Sequence, residues 1–200
     1  MTMFDKISNY ITDLIYETLP DVDPGRREVI EYGIYMTVSE IVKISLLLII
    51  AAVLRIIPQV LGVIIIYGIQ RTFLGGLHAK THLSCVITHF AIVVCVLALS
   101  FISQIDRSWL MLIIVPFSYF TAYKYAPADM PQKPVKSKKQ RKQLRTGGFI
   151  LLAILFAAAY FLDALWSNII LFTCFIQAVL MTPVAYKITK NKYGREEASV

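Results

Sequence analysis

Six apolar runs separated by short polar breaks constrain this chain more than any other feature. They are "IVKISLLLIIAAVLRII" from Ile41, "VLGVIIIYGI" from Val60, "VITHFAIVVCVLALSFI" from Val86, "WLMLIIVPFSYFTAY" from Trp109, "GGFILLAILFAAAYFLDALW" from Gly147 and "NIILFTCFIQAVLMTPVAY" from Asn168. A helix rises about 1.5 Å per residue, so roughly 20 apolar residues cross the hydrocarbon core of a bilayer. Several runs approach that length; the second reaches it only by extending through Arg71–Leu77. Only 16% of the residues are charged and 57% are hydrophobic, against about 25% and 45–50% in a soluble domain. The chain therefore reads as an all-α integral membrane protein with about six transmembrane helices.

About 35 polar or amphipathic residues precede the first run, so no cleaved signal peptide is expected. Within them Phe4, Ile7, Ile11, Leu14, Ile15 and Leu19 recur at helical spacing, opposite a face that carries Asp5, Asp13 and Glu17 against Lys6. This predicts an N-terminal amphipathic helix. A lipid-binding interfacial helix is rich in Lys and Arg; an acidic one suits packing on its own protein or a basic partner.

Charge sets the expected orientation. The stretch Lys124–Arg145 holds eight basic residues and one acid, Asp129, and the tail "KITKNKYGRE" holds four more basic ones. The positive-inside rule puts both in the cytoplasm. Two spans separate them, so the assignment is self-consistent. Counting back places the segment 75–85 and both termini on the cytoplasmic side, with Arg55 and Arg107 in outer loops. The net charge of +7 is then topology rather than nucleic-acid binding, since no soluble face interleaves basic and aromatic residues. The expected organisation is one polytopic domain over 1–200. It comprises a cytoplasmic segment at 1–33, three spans with a hairpin at 34–103, three more at 108–187 around a basic loop at 124–146, and a tail at 188–200.

Against this apolar background, "GGLHAKTHLSC" (Gly75 to Cys85) gathers two glycines, two of three histidines and one of three cysteines. In one straight helix His78 and Cys85 would lie about 10.5 Å apart along the axis. A hairpin or a break at Gly75–Gly76 brings them within reach. A thiol beside an imidazole is the arrangement for a thiolate nucleophile, with the histidine serving as base and then as acid. His82, three residues before Cys85, is an alternative base. Gly75 and Gly76 leave backbone N–H groups unshielded as oxyanion donors. Arg71 is an intramembrane or interfacial cation, suited to holding a carboxylate, steadying the site, or snorkelling to the interface.

Other readings stay open on pattern alone. His78, His82, Cys85 and His89, spaced four, three and four, would form a zinc-competent stripe on one continuous helix; a hairpin scatters them. Cys95 and Cys174 lie in apolar runs, where a thiol is a small apolar side chain. Three cysteines do not make a disulfide framework. A peptide exporter or solute transporter would also have six spans, though neither paired broken helices nor internal symmetry is visible. Glu40, Gln70, Asp163 and Asn168 are polar candidates for a third catalytic residue, none with a spacing argument.

The run Arg71-x-x-x-Gly75-Gly76-x-His78-Ala79, with Cys85 seven residues after the histidine, resembles the signature of the accessory gene regulator B family, membrane cysteine endopeptidases of bacterial quorum sensing. Length, six runs and the Pro-rich basic stretch "APADMPQKPV" extend the likeness over nearly the whole chain. The resemblance implies a bacterial cell-membrane enzyme with His78 and Cys85 as catalytic pair and no cofactor or metal; Arg71, Gly75 and Gly76 stay the site support that the residues themselves suggest. It implies a precursor peptide with an amphipathic leader and an acidic C-terminal tail as partner, membrane lipid around it, and association as a homodimer. Lys133, Lys136, Lys138, Lys139, Arg141, Lys142 and Arg145 are then the candidate dock for the acidic tail.

Overall fold

The computed structural model describes residues 3–18, 24–77, 82–128 and 137–189, without the side chains of residues 3–5, 24, 82 and 83. The elements are α1 (Met3–Thr18), a short 3-10 turn at Pro24–Arg26, α2 (Arg27–Val53), α3 (Ile57–Leu74), α4 (His82–Ile102), α5 (Arg107–Tyr125), α6 (Lys138–Phe161), α7 (Ala164–Leu180) and α8 (Pro183–Ile188). Among the described residues there is no strand. In a bilayer this follows from the backbone, because a helix satisfies its own N–H and C=O groups where no water can. The protein is an all-α membrane protein. Helices α2, α3, α4 and α6 are long and apolar enough to cross a membrane, and α7, at 17 residues, is a shorter apolar helix. Helix α5 fills the place of the remaining run, with Pro116 inside it.

Contacts divide the chain into two compact units, Met1–Arg55 and Ile56–Val200. In the first, α1 packs along α2. The amphipathic helix is present, but its buried positions are Ser8 and Thr12, while Tyr10 and Leu14 are exposed. Small side chains permit the closer approach. The acidic face meets a basic partner within its own chain: Asp13 accepts from Arg27, which also stands over the Tyr16 ring at 5.6 Å. In α2, Lys43 is buried and donates to Glu40 at 2.6 Å.

The second unit is organised around α7, which touches α3, α4, α5, α6 and α8. Every residue from Ser167 to Cys174 is buried. A helix buried over more than two consecutive turns is surrounded on all sides. Lipid supplies no hydrophobic drive for helices to associate, so close packing and interhelical hydrogen bonds hold such a bundle. Both occur here. Gly62 faces Trp166, and Gly147 and Gly148 face Phe73 and Leu74, where an added Cβ would overlap the partner. Asn168 donates to the Ser100 carbonyl at 3.3 Å and Gln70 to the Cys174 thiol at 3.2 Å.

Two boundaries differ from the sequence reading. Helix α3 stops at Leu74 and does not continue through Leu77, because Gly75 and Gly76 take positive φ of 72° and 128°, which glycine adopts at little cost. The basic stretch expected to be loop as far as 146 is helical from Lys138, where the Ser137 side chain accepts from the Gln140 N–H. Lys, Gln, Arg and Leu are good helix formers, and no proline follows Pro134 to stop them.

Candidate active site

The break after α3 builds a short strap, Gly75–Gly76–Leu77, at the end of the unit where α3, α5 and α7 finish. Non-helical backbone inside a membrane protein must find partners for every polar group. In the strap all of them do. Gly75 N–H donates to the Arg71 carbonyl (3.0 Å), Gly76 N–H to the Ala128 carbonyl (2.8 Å) and Leu77 N–H to the Leu180 carbonyl (3.3 Å). The three carbonyls are served by two side chains: Gln177 donates to Gly75 at 2.7 Å, and Arg71 to Leu77 at 2.6 Å and Gly76 at 3.4 Å. Ala128 returns a bond from its N–H to the Leu74 carbonyl, 2.9 Å, so strap and 126–128 segment form a one-rung parallel bridge.

Gly75 is the tightest point. A Cβ there would stand 2.4 Å from the Ala128 oxygen, at a φ that side chains avoid. The sequence reading offered Gly75 and Gly76 as oxyanion donors or support. Their N–H groups are already bonded, so in this structure they serve close approach.

Arg71 is a clamp. It donates to the Tyr67 hydroxyl at 2.6 Å, lies 5.4 Å above that ring, and holds two strap carbonyls. Its charge also complements the C-terminal end of the α3 dipole. Tyr67, buried, was missed in the sequence, where it sits in an apolar run like any core aromatic. Its ring meets His89 of α4 edge-on at 5.8 Å, and it lies within electrostatic range of Cys85.

Cys85 sits in the first turn of α4, half-buried and free. His78 lies outside the described residues, one peptide bond beyond Leu77. His82 opens α4, and its side chain is outside the description. Of the four residues of the zinc stripe, His82, Cys85 and His89 lie on α4, while His78 lies outside the described residues.

The four polar candidates for a third catalytic residue have other duties. Glu40 pairs with Lys43, Gln70 binds Cys174, Asn168 binds Ser100, and Asp163 caps α7 by accepting from Leu165 and Trp166. Among the basic candidates, Lys133 and Lys136 lie outside the described residues. Lys138, Lys139 and Lys142 are exposed. Arg145 donates to the Ala126 carbonyl at 3.0 Å and Arg141 to that of Pro127 at 3.5 Å. These two arginines tie the start of α6 to the segment that pairs with the strap. Tyr186 of α8 closes the knot from the other side, donating to the Ala128 carbonyl at 3.3 Å.

Comparison with known proteins supplies a family. The family described as accessory gene regulator B matches residues 8–181. A Clostridium perfringens (strain 13 / Type A) protein named as AgrB-like is 28% identical over 158 residues, covering 76% of this chain and 73% of its own length. One from Listeria innocua serovar 6a, also named as AgrB-like, is 26% identical over 170 residues, covering 84% and 82%. No solved structure matches the chain. With a family match over most of its length, an all-helical membrane fold and the Arg71-to-Cys85 motif at a helix break, this chain belongs to the accessory gene regulator B family of quorum sensing.

Proposed function

We propose that this protein is a membrane-embedded cysteine endopeptidase that removes the C-terminal tail from an autoinducing-peptide precursor and allows the remaining signal segment to cyclise. The observation that carries this reading is the strap. It breaks the helix between Arg71 and Cys85 and holds the chain rigidly up to the residue before His78, with Cys85 one turn into the next helix.

The chemistry runs in two acyl transfers. Cys85 Sγ attacks the carbonyl of the bond between signal and tail while His78 takes the thiol proton. Collapse of the tetrahedral intermediate breaks the C–N bond, and His78 gives that proton to the departing tail amine. The product is an acyl-enzyme thioester. A thiol or hydroxyl within the peptide then attacks the thioester, its proton passing through His78 to the Cys85 thiolate. A thiolactone or lactone leaves and the free enzyme returns. Holding the peptide's own nucleophile nearby raises its effective concentration to as much as roughly 10⁵ M or more, and a site at the bilayer surface limits competing water.

Orientation follows from charge. The strap, the 126–128 segment, the α6 start and the α7 end lie together, and the positive-inside rule puts that end in the cytoplasm. Lys138, Lys139 and Lys142 crowd the first turns of α6, where like charges and the helix dipole both disfavour cations. An acidic peptide tail relieves this. Reversing all three to Glu is expected to raise KM for the precursor and flatten its salt dependence; unchanged values refute the dock.

The central test pairs cleavage with labelling. In nanodiscs, with Cys95 and Cys174 replaced by Ser, purified precursor is cut and the thioester trapped by intact mass. Alkylation of Cys85 near pH 7 is expected to slow about tenfold in His78→Ala. A response to His82→Ala instead transfers the base to His82. Cleavage that survives Cys85→Ala ends the peptidase reading.

A further inference from the structure

We propose that Gln177 is a positioning residue of this site, fixing the strap from α7 and thereby setting where His78 stands; the role of His78 rests on the peptidase reading above. Gln177 lies one turn before the end of α7 and is only 1% exposed. An amide so deep in a membrane bundle is costly unless it is bonded. It makes one hydrogen bond, 2.7 Å from Nε2 to the Gly75 carbonyl, across 102 residues of chain.

That bond is hard to replace. Arg71 supplies the Gly76 and Leu77 carbonyls, the backbone takes all three strap N–H groups, and among the described residues Gln177 alone serves the Gly75 carbonyl. Without it the half-buried Gly75 carbonyl loses its hydrogen-bond partner, and a carbonyl left unpaired away from water is costly. The strap also passes beside the amide, where a Cβ on Gly76 would make ordinary contact, 3.4 Å from Nε2 and 4.0 Å from Oε1.

The other end of the amide bears on its sense. Oε1 is buried and has no hydrogen-bond partner among the described residues. Turning the amide over would set Oε1 against the Gly75 carbonyl, two acceptors facing each other. Only the donor-to-Gly75 sense is stable, and an oxygen-only side chain cannot imitate it unless protonated. His78 is three residues on from Gly75, so the chain between them spans at most about 10 Å. About 1 Å of misplacement of a reacting group can cost roughly 100-fold in rate.

The test uses full-length protein in nanodiscs: wild type, Gln177→Leu and Gln177→Glu. Two readouts are taken between about pH 5 and 9: hydrogen-exchange protection of the 75–77 amides, and the His78-dependent part of Cys85 alkylation. Gln177→Leu is expected to cut strap protection at least tenfold and abolish the His78 dependence, while α5 and α6 stay protected. Gln177→Glu separates positioning from bulk packing. Its carboxylic acid donates when protonated, whereas its carboxylate cannot. At the acidic end it should match wild type, and as pH rises through that titration it should fall to the level of Gln177→Leu.

Each outcome decides. Unmoved strap protection in Gln177→Leu, or a Gln177→Glu that tracks Gln177→Leu at every pH, overturns the assignment while the peptidase reading stands. A wild-type Cys85 that ignores both His78→Ala and His82→Ala overturns the peptidase reading, and one that answers only to His82→Ala moves the base; either result removes this role for Gln177. Should Gln177→Leu lose protection throughout α3–α7, the rescue of Gln177→Glu by protonation still carries the decision.

Discussion

Two arginines close the two ends of the α3–α8 unit with nearly the same device. Arg107, on the first residue of α5, donates to the Leu162 carbonyl at 2.7 Å and the Ala159 carbonyl at 3.4 Å, and stands 5.8 Å above the Tyr160 ring. Arg71 donates to Leu77 and Gly76 at 2.6 and 3.4 Å, and stands 5.4 Å above Tyr67. Each is a guanidinium on two carbonyls and a tyrosine. What they hold differs. Arg107 caps the finished helix α6, and the chain turns directly into α7 with Asp163 as its cap. Arg71 holds backbone that has left the helix, and through it the last described residue before His78. A plain turn needs a cap; the same contacts on a broken helix can position a reacting group.

The comparison breaks most sharply at the chemistry. Cys85→Ala and His78→Ala should each lower precursor cleavage by at least about 10³-fold, and the double variant should be no worse, because groups that act as one unit are not additive. Cleavage in nanodiscs with intact mass reads this directly.

Next comes the strap. Gly75→Val meets Ala128 at 2.4 Å and forces a branched side chain to φ 72°. A loss of about 1–3 kcal/mol of stability is expected, with a fall in kcat of about 10–100-fold as His78 is displaced. Gly68→Ala is the control. Its Cβ would enter open space within α3, and replacing a mid-helix glycine stabilises by up to about 1 kcal/mol. Thermal unfolding and turnover together separate the two glycines, which sequence alone does not.

The arginine pair gives a smaller effect and a cleaner contrast. Lysine keeps the charge but loses the planar fork that serves several acceptors at once. Arg71→Lys should lower kcat about tenfold. Arg107→Lys should leave turnover unchanged and shift stability by less than about 1 kcal/mol. Equal losses of turnover at both sites would remove the functional distinction between the ends.

Much of this architecture was legible, for a physical reason. Spans announce themselves because a bilayer demands long apolar runs, and α2, α3, α4 and α6 fall on the blocks that opened the reading. The helix break was legible only as one of two options, beside a hairpin with the second run carried on to about Leu77, because an apolar pattern does not show whether adjacent glycines leave the helix. The partners of the strap were not. Gln177, Leu180 and Ala128 are distant in sequence, and the hydrogen bonds to the 126–128 and 177–180 segments pass largely through main chain, which carries no side-chain signal. Tyr67 and Gln177 sit in apolar runs whose periodicity says only that they are inside. Arg141 and Arg145 belong to a charge run in which nothing distinguishes the two tied to Pro127 and Ala126 from exposed Lys138, Lys139 and Lys142.

The smallest expected effect lies at the plain end and sharpens the contrast by its mildness. Asp106 caps α5 by accepting from the Ser108 N–H at 2.8 Å. That backbone hydrogen bond, foremost, lowers the Asp106 pKa from its usual value of 3.8, with a further contribution from neighbouring Arg107. A carboxylate depressed on folding contributes stability that is fully present above its unfolded pKa and is lost as pH falls through the folded one. The effect of this group is therefore flat from neutral pH down to about 4 and fades only below. Asp106→Asn retains a capping oxygen but not the charge, so it should abolish that acid-side slope and give up the small contribution of the carboxylate at neutral pH, while leaving precursor turnover unchanged. Parallel thermal unfolding of wild type and Asp106→Asn at pH 7 and at about pH 3 checks this. A drop in turnover at pH 7 would mean the Arg107 end is coupled to the strap, and the division between a plain turn and a working one would have to be given up.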